Sequence, residues 1–194
     1  MLSEDLSKLS ILGKEVVSTY DKGVFCSPQR EDTAALSPCT HEEADTRIIV
    51  HYVDALKRGH RKIMIRTVDT DVVVLSIAAF ALHPADELWI AFGTGAHYRF
   101  LPVHHYATTL GPLKSRALPY FHAFTGCDTV SFMAGRGKKT AWDVWMAFDD
   151  ATKAFLELSA FPPRNIPEVT VATLERFTVL LYDRTSGHME VSMF

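Results

Sequence analysis

Apolar side chains recur with a helical period in one clear stretch of the first third of the chain. Charged residues fill the positions between them, and the apolar set comprises Ala44, Ile48, Ile49, Tyr52, Val53 and Leu56. Gly59 follows where a helix commonly ends in a left-handed glycine. The pattern predicts an amphipathic helix of about four turns. Its polar side is expected to hold Arg47, Asp54, Lys57 and Arg58.

Shorter apolar runs on both sides of this helix predict strands. Residues 14–20 predict one strand, and residues 21–40, which carry Pro, Ser, Asp and Gly, predict a loop. Residues 62–67 predict a strand that leads through the acidic turn VDTD to a buried helix, VVVLSIAAFAL. Two further strands are expected at residues 88–92 and 98–103. Helix, strand, helix and strand in this order favour an α/β domain with a largely parallel sheet.

Beyond Pro102 the pattern is helical. HHYATTL and SRALPYFHAF predict two helices. Residues 139–160 predict one long helix with an apolar side made of Ala141, Val144, Trp145, Phe148, Phe155 and Leu158. Three prolines then interrupt the helical pattern, and a final helix is indicated by Val171, Leu174, Phe177 and Leu181. The second half of the chain is therefore expected to form a helical layer.

Composition is that of an ordinary globular domain. The 194 residues are 47% hydrophobic and 22% charged, with a net charge of −3, which excludes a disordered or collagen-like chain. No apolar run reaches the ~18–20 residues that cross a bilayer, and the N-terminus does not resemble a signal peptide, so we expect an intracellular protein without a membrane partner. Nucleic-acid binding would require a local basic patch. The sequence gives no signal for an oligomeric state.

Carboxylates gather at the ends of three predicted elements: Glu42, Glu43 and Asp45 at a helix start, Asp69 and Asp71 after a strand, and Asp128 in TGCDT. Residues i and i+2 of an extended chain point the same way, so Asp69 and Asp71 can aim at one point. Hard oxygen ligands of this kind suit Mg²⁺ or Mn²⁺. The alternative is structural, with Asp69 as a helix N-cap and Asp71 favoured by the helix dipole.

The first acidic group also has a structural interpretation. Thr40-His41-Glu42-Glu43 matches a capping box, in which Glu43 bonds back to the cap residue. At about 100° per residue, Glu43 and Asp45 would lie about 200° apart on a regular helix. They can ligate together only if Glu43 lies at or before the helix start, whereas Glu42 is expected to point away from the cluster.

A glycine-rich basic turn is the other informative stretch. Gly135 and Gly137 permit a tight turn, after which Lys138 and Lys139 open a helix whose free N–H groups suit a phosphate. Two lysines at a helix N-terminus oppose the helix dipole, a conflict that a bound anion would remove. The predicted nucleic-acid contacts are Gly135, Arg136, Gly137, Lys138 and Lys139. The alternative is an ordinary solvated turn.

In order and spacing, these motifs resemble the flap-endonuclease/XPG-like branch of the PIN nuclease superfamily. In that family Glu-x-Glu opens a helix, Asp-x-Asp follows the next strand, and Gly-x-Asp precedes a helix-two-turn-helix with a Gly-x-Gly-x-Lys turn. The counterparts here are Glu43-Ala44-Asp45, Asp69-Thr70-Asp71, Gly126-Cys127-Asp128 and Gly135-Arg136-Gly137-Lys138-Lys139, within roughly residues 39–146. CTHEEADTRI, IRTVDTDVVVL, HAFTGCDTVSF and LERFTVLLYDR also look like a group of uncharacterised animal proteins associated with mobile elements.

The resemblance implies a PIN-like α/β fold. Its mostly parallel sheet would be flanked by helices, with a C-terminal helical layer that contains a helix-two-turn-helix-like segment. The implied division is an N-terminal strand and loop at 1–38, the nuclease-like domain at 39–160, and a C-terminal helix and tail at 161–194.

The resemblance also implies an activity, the hydrolysis of phosphodiester bonds by a two-metal mechanism with Mg²⁺ or Mn²⁺. The implied catalytic and metal ligands are Glu43, Asp45, Asp69, Asp71 and Asp128. The implied substrate is nucleic acid, with DNA favoured over RNA, and the implied location is the nucleus.

Two departures from the family pattern keep other functions open. Nothing before Glu42 matches the Asp-ending first strand, the second Asp-bearing segment or the basic arch, so the chain resembles the C-terminal part of such a nuclease. Asp45 also stands where the family has a longer Glu. The alternative is therefore a catalytically incomplete module that binds nucleic acid or a partner without cutting. A nucleotide-sugar transferase, the third candidate, leaves Asp128 and the basic turn unexplained.

Overall fold

The computed structural model describes residues 14–20, 22–37, 44–127, 133–159 and 166–185. The chain divides into two compact units, Met1–Ile63 and Met64–Phe194. The divisions at 38/39 and 160/161 come from the family resemblance and stay predictions. Among the residues with described positions, no helix has the length and apolar character needed to span a membrane.

A β-hairpin lies near the start of the first unit. Strands β1 (Val16–Tyr20) and β2 (Gly23–Ser27) pair antiparallel, with Tyr20 opposite Gly23. The strand expected at 14–20 is confirmed, but the loop expected at 21–40 is wrong over β2. Val24, Phe25 and Cys26 fit a paired, half-buried strand, and the loop-forming residues around them concealed that preference.

The amphipathic helix of the first unit is confirmed as α1 (Ala44–Lys57). Gly59 follows it at φ 88°, the left-handed conformation expected there. The position expected for Arg47 is wrong, because this side chain is only 7% exposed. Its Nε donates to Thr19 Oγ1 at 2.9 Å and its Nη2 donates to the carbonyl of Leu36. The buried guanidinium therefore ties β1 and the turn before residue 37 to α1.

The second unit contains a small sheet with a helix between its first two strands. The strands are β3 (Lys62–Thr67), which crosses the boundary between the units, β4 (Glu87–Phe92) and β5 (Arg99–Pro102), hydrogen-bonded in the order β3-β4-β5. The buried helix α2 (Thr70–Leu82) follows β3. These elements confirm the α/β class.

The β4–β5 pair departs from the parallel arrangement expected from the sequence. It is antiparallel, with Ala91 opposite Phe100. Only residues 93–98 connect the two strands, and Gly93 (φ 86°) and Gly95 (φ 51°) turn the chain there. A connection this short allows a hairpin, whereas a parallel pair needs a longer crossover.

The helical layer is confirmed, with one difference in its division. Helix α3 (Val103–Phe124) consists of two segments that meet at Gly111 (φ 76°, ψ 166°), matching the two predicted helices. The single helix expected at 139–160 is wrong, because α4 (Lys138–Ala147) ends before α5 (Asp150–Glu157) begins. Asp149 and Asp150 favour a new helix start. The final helix is α6 (Glu168–Tyr182).

Aromatic rings fill the space between these helices. Phe121 of α3 stacks on Trp145 of α4 with centroids 4.4 Å apart. Phe155 of α5 lies 5.5 Å from Phe177 of α6 and 5.8 Å from Trp145. Trp145, Phe155 and Phe177 are fully buried. Because every helix of the layer contributes a ring, the cluster forms the shared core of this layer.

Candidate functional site

Two of the predicted carboxylates lie where β3 passes into α2. Asp69 is the N-cap of α2, and its side chain accepts a hydrogen bond from the Asp71 amide at 2.8 Å. The amide of Asp69 in turn donates to Thr67 Oγ1 at 3.0 Å. One side-chain oxygen of Asp69 and one of Asp71 lie within 4.8 Å of each other. The capping interpretation is thus confirmed, and the same geometry brings the two carboxylates together.

These two carboxylates could hold a divalent cation. Oxygens that share one Mg²⁺ in octahedral geometry are about 3 to 4.2 Å apart, and the closest oxygens of this pair lie within 4.8 Å. The cap occupies one oxygen of Asp69, and a carboxylate accepts at both of its oxygens. Capping of α2 and ligation of a metal are therefore compatible.

His122 is a site residue that sequence reasoning missed. Its Nε2 lies 2.8 Å from Asp71 Oδ1, so a residue near the end of α3 contacts the first turn of α2. The two residues are 51 positions apart in the chain. The packing of α2 on α3 produces this contact, and no local motif marks it. His122 fixes the orientation of a carboxylate that the sequence assigned to the metal.

Lys138, one of the predicted nucleic-acid contacts, also bonds to the end of α3. Its Nζ donates to the carbonyl of His122 at 2.7 Å and to Thr125 Oγ1 at 3.2 Å. Burial lowers the pKa of Lys138, while the nearby Cys127 and Asp71 act in the opposite direction. An ammonium among the last carbonyls of a helix is favourably placed in the field of the helix dipole.

Arg136 has a similar position at the end of α6. Its Nη2 donates to the carbonyl of Tyr182 at 3.1 Å, and its guanidinium lies 5.4 Å from the Tyr182 ring centroid. Gly135 adopts φ 69°, Gly137 is the N-cap of α4, and Lys139 is exposed. The basic turn therefore uses two of its cations at helix ends, and all of residues 135–139 are exposed.

The remaining predicted ligands are not all described. Glu43 and Asp128 lie outside the described residues, as does Glu42. Asp45 belongs to the first unit, where it lies half-buried in the first turn of α1. Gly126, which precedes Asp128 by two positions, is buried and adopts φ 99°.

In comparisons with known proteins, no family model, no curated protein and no solved structure matches the chain. Inference of function therefore depends on the residues themselves: the carboxylate pair of Asp69 and Asp71, the His122 contact, and the order of the sequence motifs.

Proposed function

We propose that the chain is a metal-dependent, PIN-like nuclease domain that hydrolyses phosphodiester bonds in DNA or RNA. The observation that carries the proposal is the carboxylate pair after β3, in which Asp69 and Asp71 approach within 4.8 Å and His122 holds Asp71. Glu43, Asp45 and Asp128 are proposed to complete the ligand set. The family resemblance supports DNA as the preferred substrate and the nucleus as the location.

Each residue of the proposed site has a defined task. Two bound Mg²⁺ or Mn²⁺ ions would supply an activated water and charge stabilisation of the leaving oxygen. Asp69 and Asp71 hold cations, and His122 keeps the Asp71 carboxylate in one orientation. Lys139 and the first amides of α4, which follow Gly137, contact a backbone phosphate away from the cleaved bond.

Two substitutions of Asp69 separate its capping role from metal binding. Asn caps helices as well as Asp does, so the free energy of unfolding of Asp69→Asn should lie within about 0.5 kcal/mol of that of the parent chain. The free energy of unfolding of Asp69→Ala should be lower than that of the parent chain by about 0.5–2 kcal/mol. Asp69→Asn should also lose the rise in melting temperature that millimolar Mn²⁺ gives the parent chain. Asp150→Asn, at the exposed start of α5, is the matched control and should keep that rise.

Cleavage of labelled single- and double-stranded DNA and RNA in Mg²⁺ or Mn²⁺ then tests the reaction. The parent chain and Asp150→Asn should cut, and Asp69→Asn should not. Absence of a metal-induced rise in the parent chain, together with absence of cleavage, would contradict the proposal. Nucleic-acid binding without cleavage would instead support the incomplete binding module.

A further inference from the structure

A long stretch of the second unit carries no acidic residue. The 40 residues from 88 to 127 contain no Asp or Glu, but they include three Lys or Arg residues and four His, in a chain whose net charge is −3. This stretch includes β5 and α3. Acidic residues are thus unevenly distributed along the chain, and β5 carries Arg99 and no carboxylate.

Three side chains form what we call the aromatic patch: Arg66, Tyr98 and Phe100. The Tyr98 and Phe100 rings lie 5.3 Å apart edge to face, and the Arg66 guanidinium lies 5.1 Å from the Tyr98 centroid. Tyr98 is 44% exposed and Phe100 51% exposed. Arg66 Nη1 also donates to the carbonyl of Ala91 at 3.0 Å. Because Ala91 is the partner of Phe100 in the β4–β5 register, the patch lies beside the middle of the sheet.

The patch joins the candidate site through the end of β3. Arg66 immediately precedes Thr67, whose hydroxyl accepts from the Asp69 amide. Met64, two residues before Arg66 and therefore on the same side of the strand, is 60% exposed. A polymer that lies along these side chains would be directed towards Asp69.

We propose that the aromatic patch binds a single strand of nucleic acid. Aromatic side chains on an exposed sheet surface stack with unpaired bases, which a duplex does not offer. Charge complementarity supports this occupant, because the Arg66 guanidinium pairs with phosphate and residues 88–127 offer no carboxylate to repel it. The inference rests on the proposed function in one respect, since it names an unpaired strand as the form of substrate that reaches Asp69.

The test measures binding without metal. Fluorescence anisotropy in EDTA, with labelled oligothymidylate and oligouridylate of about 15 nucleotides, reports affinity while no cleavage takes place. Tyr98→Leu combined with Phe100→Leu should weaken binding by at least about fivefold, because each lost stacking contact is a large part of the affinity. Tyr98→Phe keeps a ring and should bind as the parent chain does. Tyr106→Leu, at a 39% exposed tyrosine of α3, is the control and should also bind normally.

Several results would overturn the proposal. They are failure of the parent chain to bind either oligonucleotide, unchanged affinity of the double variant, and equal weakening by Tyr106→Leu. Concentration-dependent self-association that the double variant abolishes would assign the patch to a second copy of the chain and would also overturn it. If the parent chain binds the oligonucleotides in EDTA but does not cleave them when metal is added, this inference stands and the proposed function is contradicted. If the double variant cleaves as fast as the parent chain, the proposed function stands and this inference is contradicted.

Discussion

His122 connects two parts of the candidate site through different atoms. Its ring contacts the Asp71 carboxylate, and its backbone carbonyl accepts a hydrogen bond from Lys138. Substitution of the side chain therefore removes the contact with Asp71 and leaves the carbonyl available to Lys138. This separation makes His122 suitable for testing whether the orientation of Asp71 matters for metal binding.

We expect His122→Phe to weaken Mn²⁺ binding by about 10- to 100-fold, the usual effect of removing a hydrogen bond to a metal ligand. His122→Gln retains a donor and should recover part of this loss. Isothermal titration with Mn²⁺ measures both affinities. Equal affinities for the Phe variant and the parent chain would show that the ring contact is structural only.

A second histidine makes the stability of the first unit depend on pH. Burial, aided by the charge of Arg47, holds the pKa of His51 below its ordinary value of 6.5. As the pH falls below 6.5, the unfolded chain therefore takes up this proton before the folded chain does, and the folded state loses stability until the lowered pKa is passed. His51 Nε2 also lies 3.2 Å from Thr19 Oγ1.

His51→Gln should remove this contribution, so its melting temperature should fall less than that of the parent chain between pH 7 and pH 5. The exposed His60, changed to Gln, is the control and should follow the parent curve. Thermal unfolding followed by far-UV circular dichroism gives both curves. Parallel curves for His51→Gln and the parent chain would exclude His51 as a source of the pH dependence.

At the level of elements, neighbouring lysines at the start of α4 differ in what they contact. Lys138→Met removes an ammonium that bonds to the carbonyl of His122 and the hydroxyl of Thr125. The free energy of unfolding should fall by about 0.5–1.5 kcal/mol, because two hydrogen bonds of this exposed ammonium are lost. Lys139→Met changes an exposed side chain and should stay within about 0.5 kcal/mol. Urea unfolding measures both free energies, and equal effects would contradict the assigned contacts.

Sequence patterns predicted the elements whose signals are local. The period of α1, the apolar runs of β3 and β4, and the left-handed Gly59 all depend on neighbouring residues. Strand β2 was missed because its pairing with β1 stabilises a segment surrounded by loop-forming residues. The break before α5 was missed because the apolar spacing continues through it.

In the candidate site, too, some features could be predicted from the local sequence and others could not. The proximity of Asp69 and Asp71 was expected from the i, i+2 spacing of an extended chain, but it arises because Asp69 caps α2 and Asp71 lies in the first turn of that helix. The partners of Arg47, His122 and Lys138 come from elements distant in sequence, and packing alone decides them. Charge on a predicted helix surface therefore did not reveal that Arg47 is buried or that Lys138 holds the end of α3.

For the molecule as a whole, a net charge of −3 means that a polyanion is attracted only by a local group of cations. For single-strand binding, the slope of log K against log salt concentration should become shallower by about 0.7 for each phosphate contact removed. We expect Arg66→Gln and Lys139→Gln each to reduce the slope by about this amount. Anisotropy titrations over a salt series measure it, and a slope unchanged in both variants would remove these residues from the binding surface.

The positions of the tryptophans, one of them in the ring cluster of the helical layer, determine which unit tryptophan fluorescence monitors. Its three tryptophans are Trp89, Trp142 and Trp145, and all of them lie within Met64–Phe194. Trp145 is fully buried, and its indole N–H donates to Thr152 Oγ1 at 3.0 Å. Tryptophan emission therefore monitors unfolding of the second unit, whereas far-UV circular dichroism monitors loss of helix in both units. Denaturation curves from the two signals will coincide only if both units melt in a single cooperative transition.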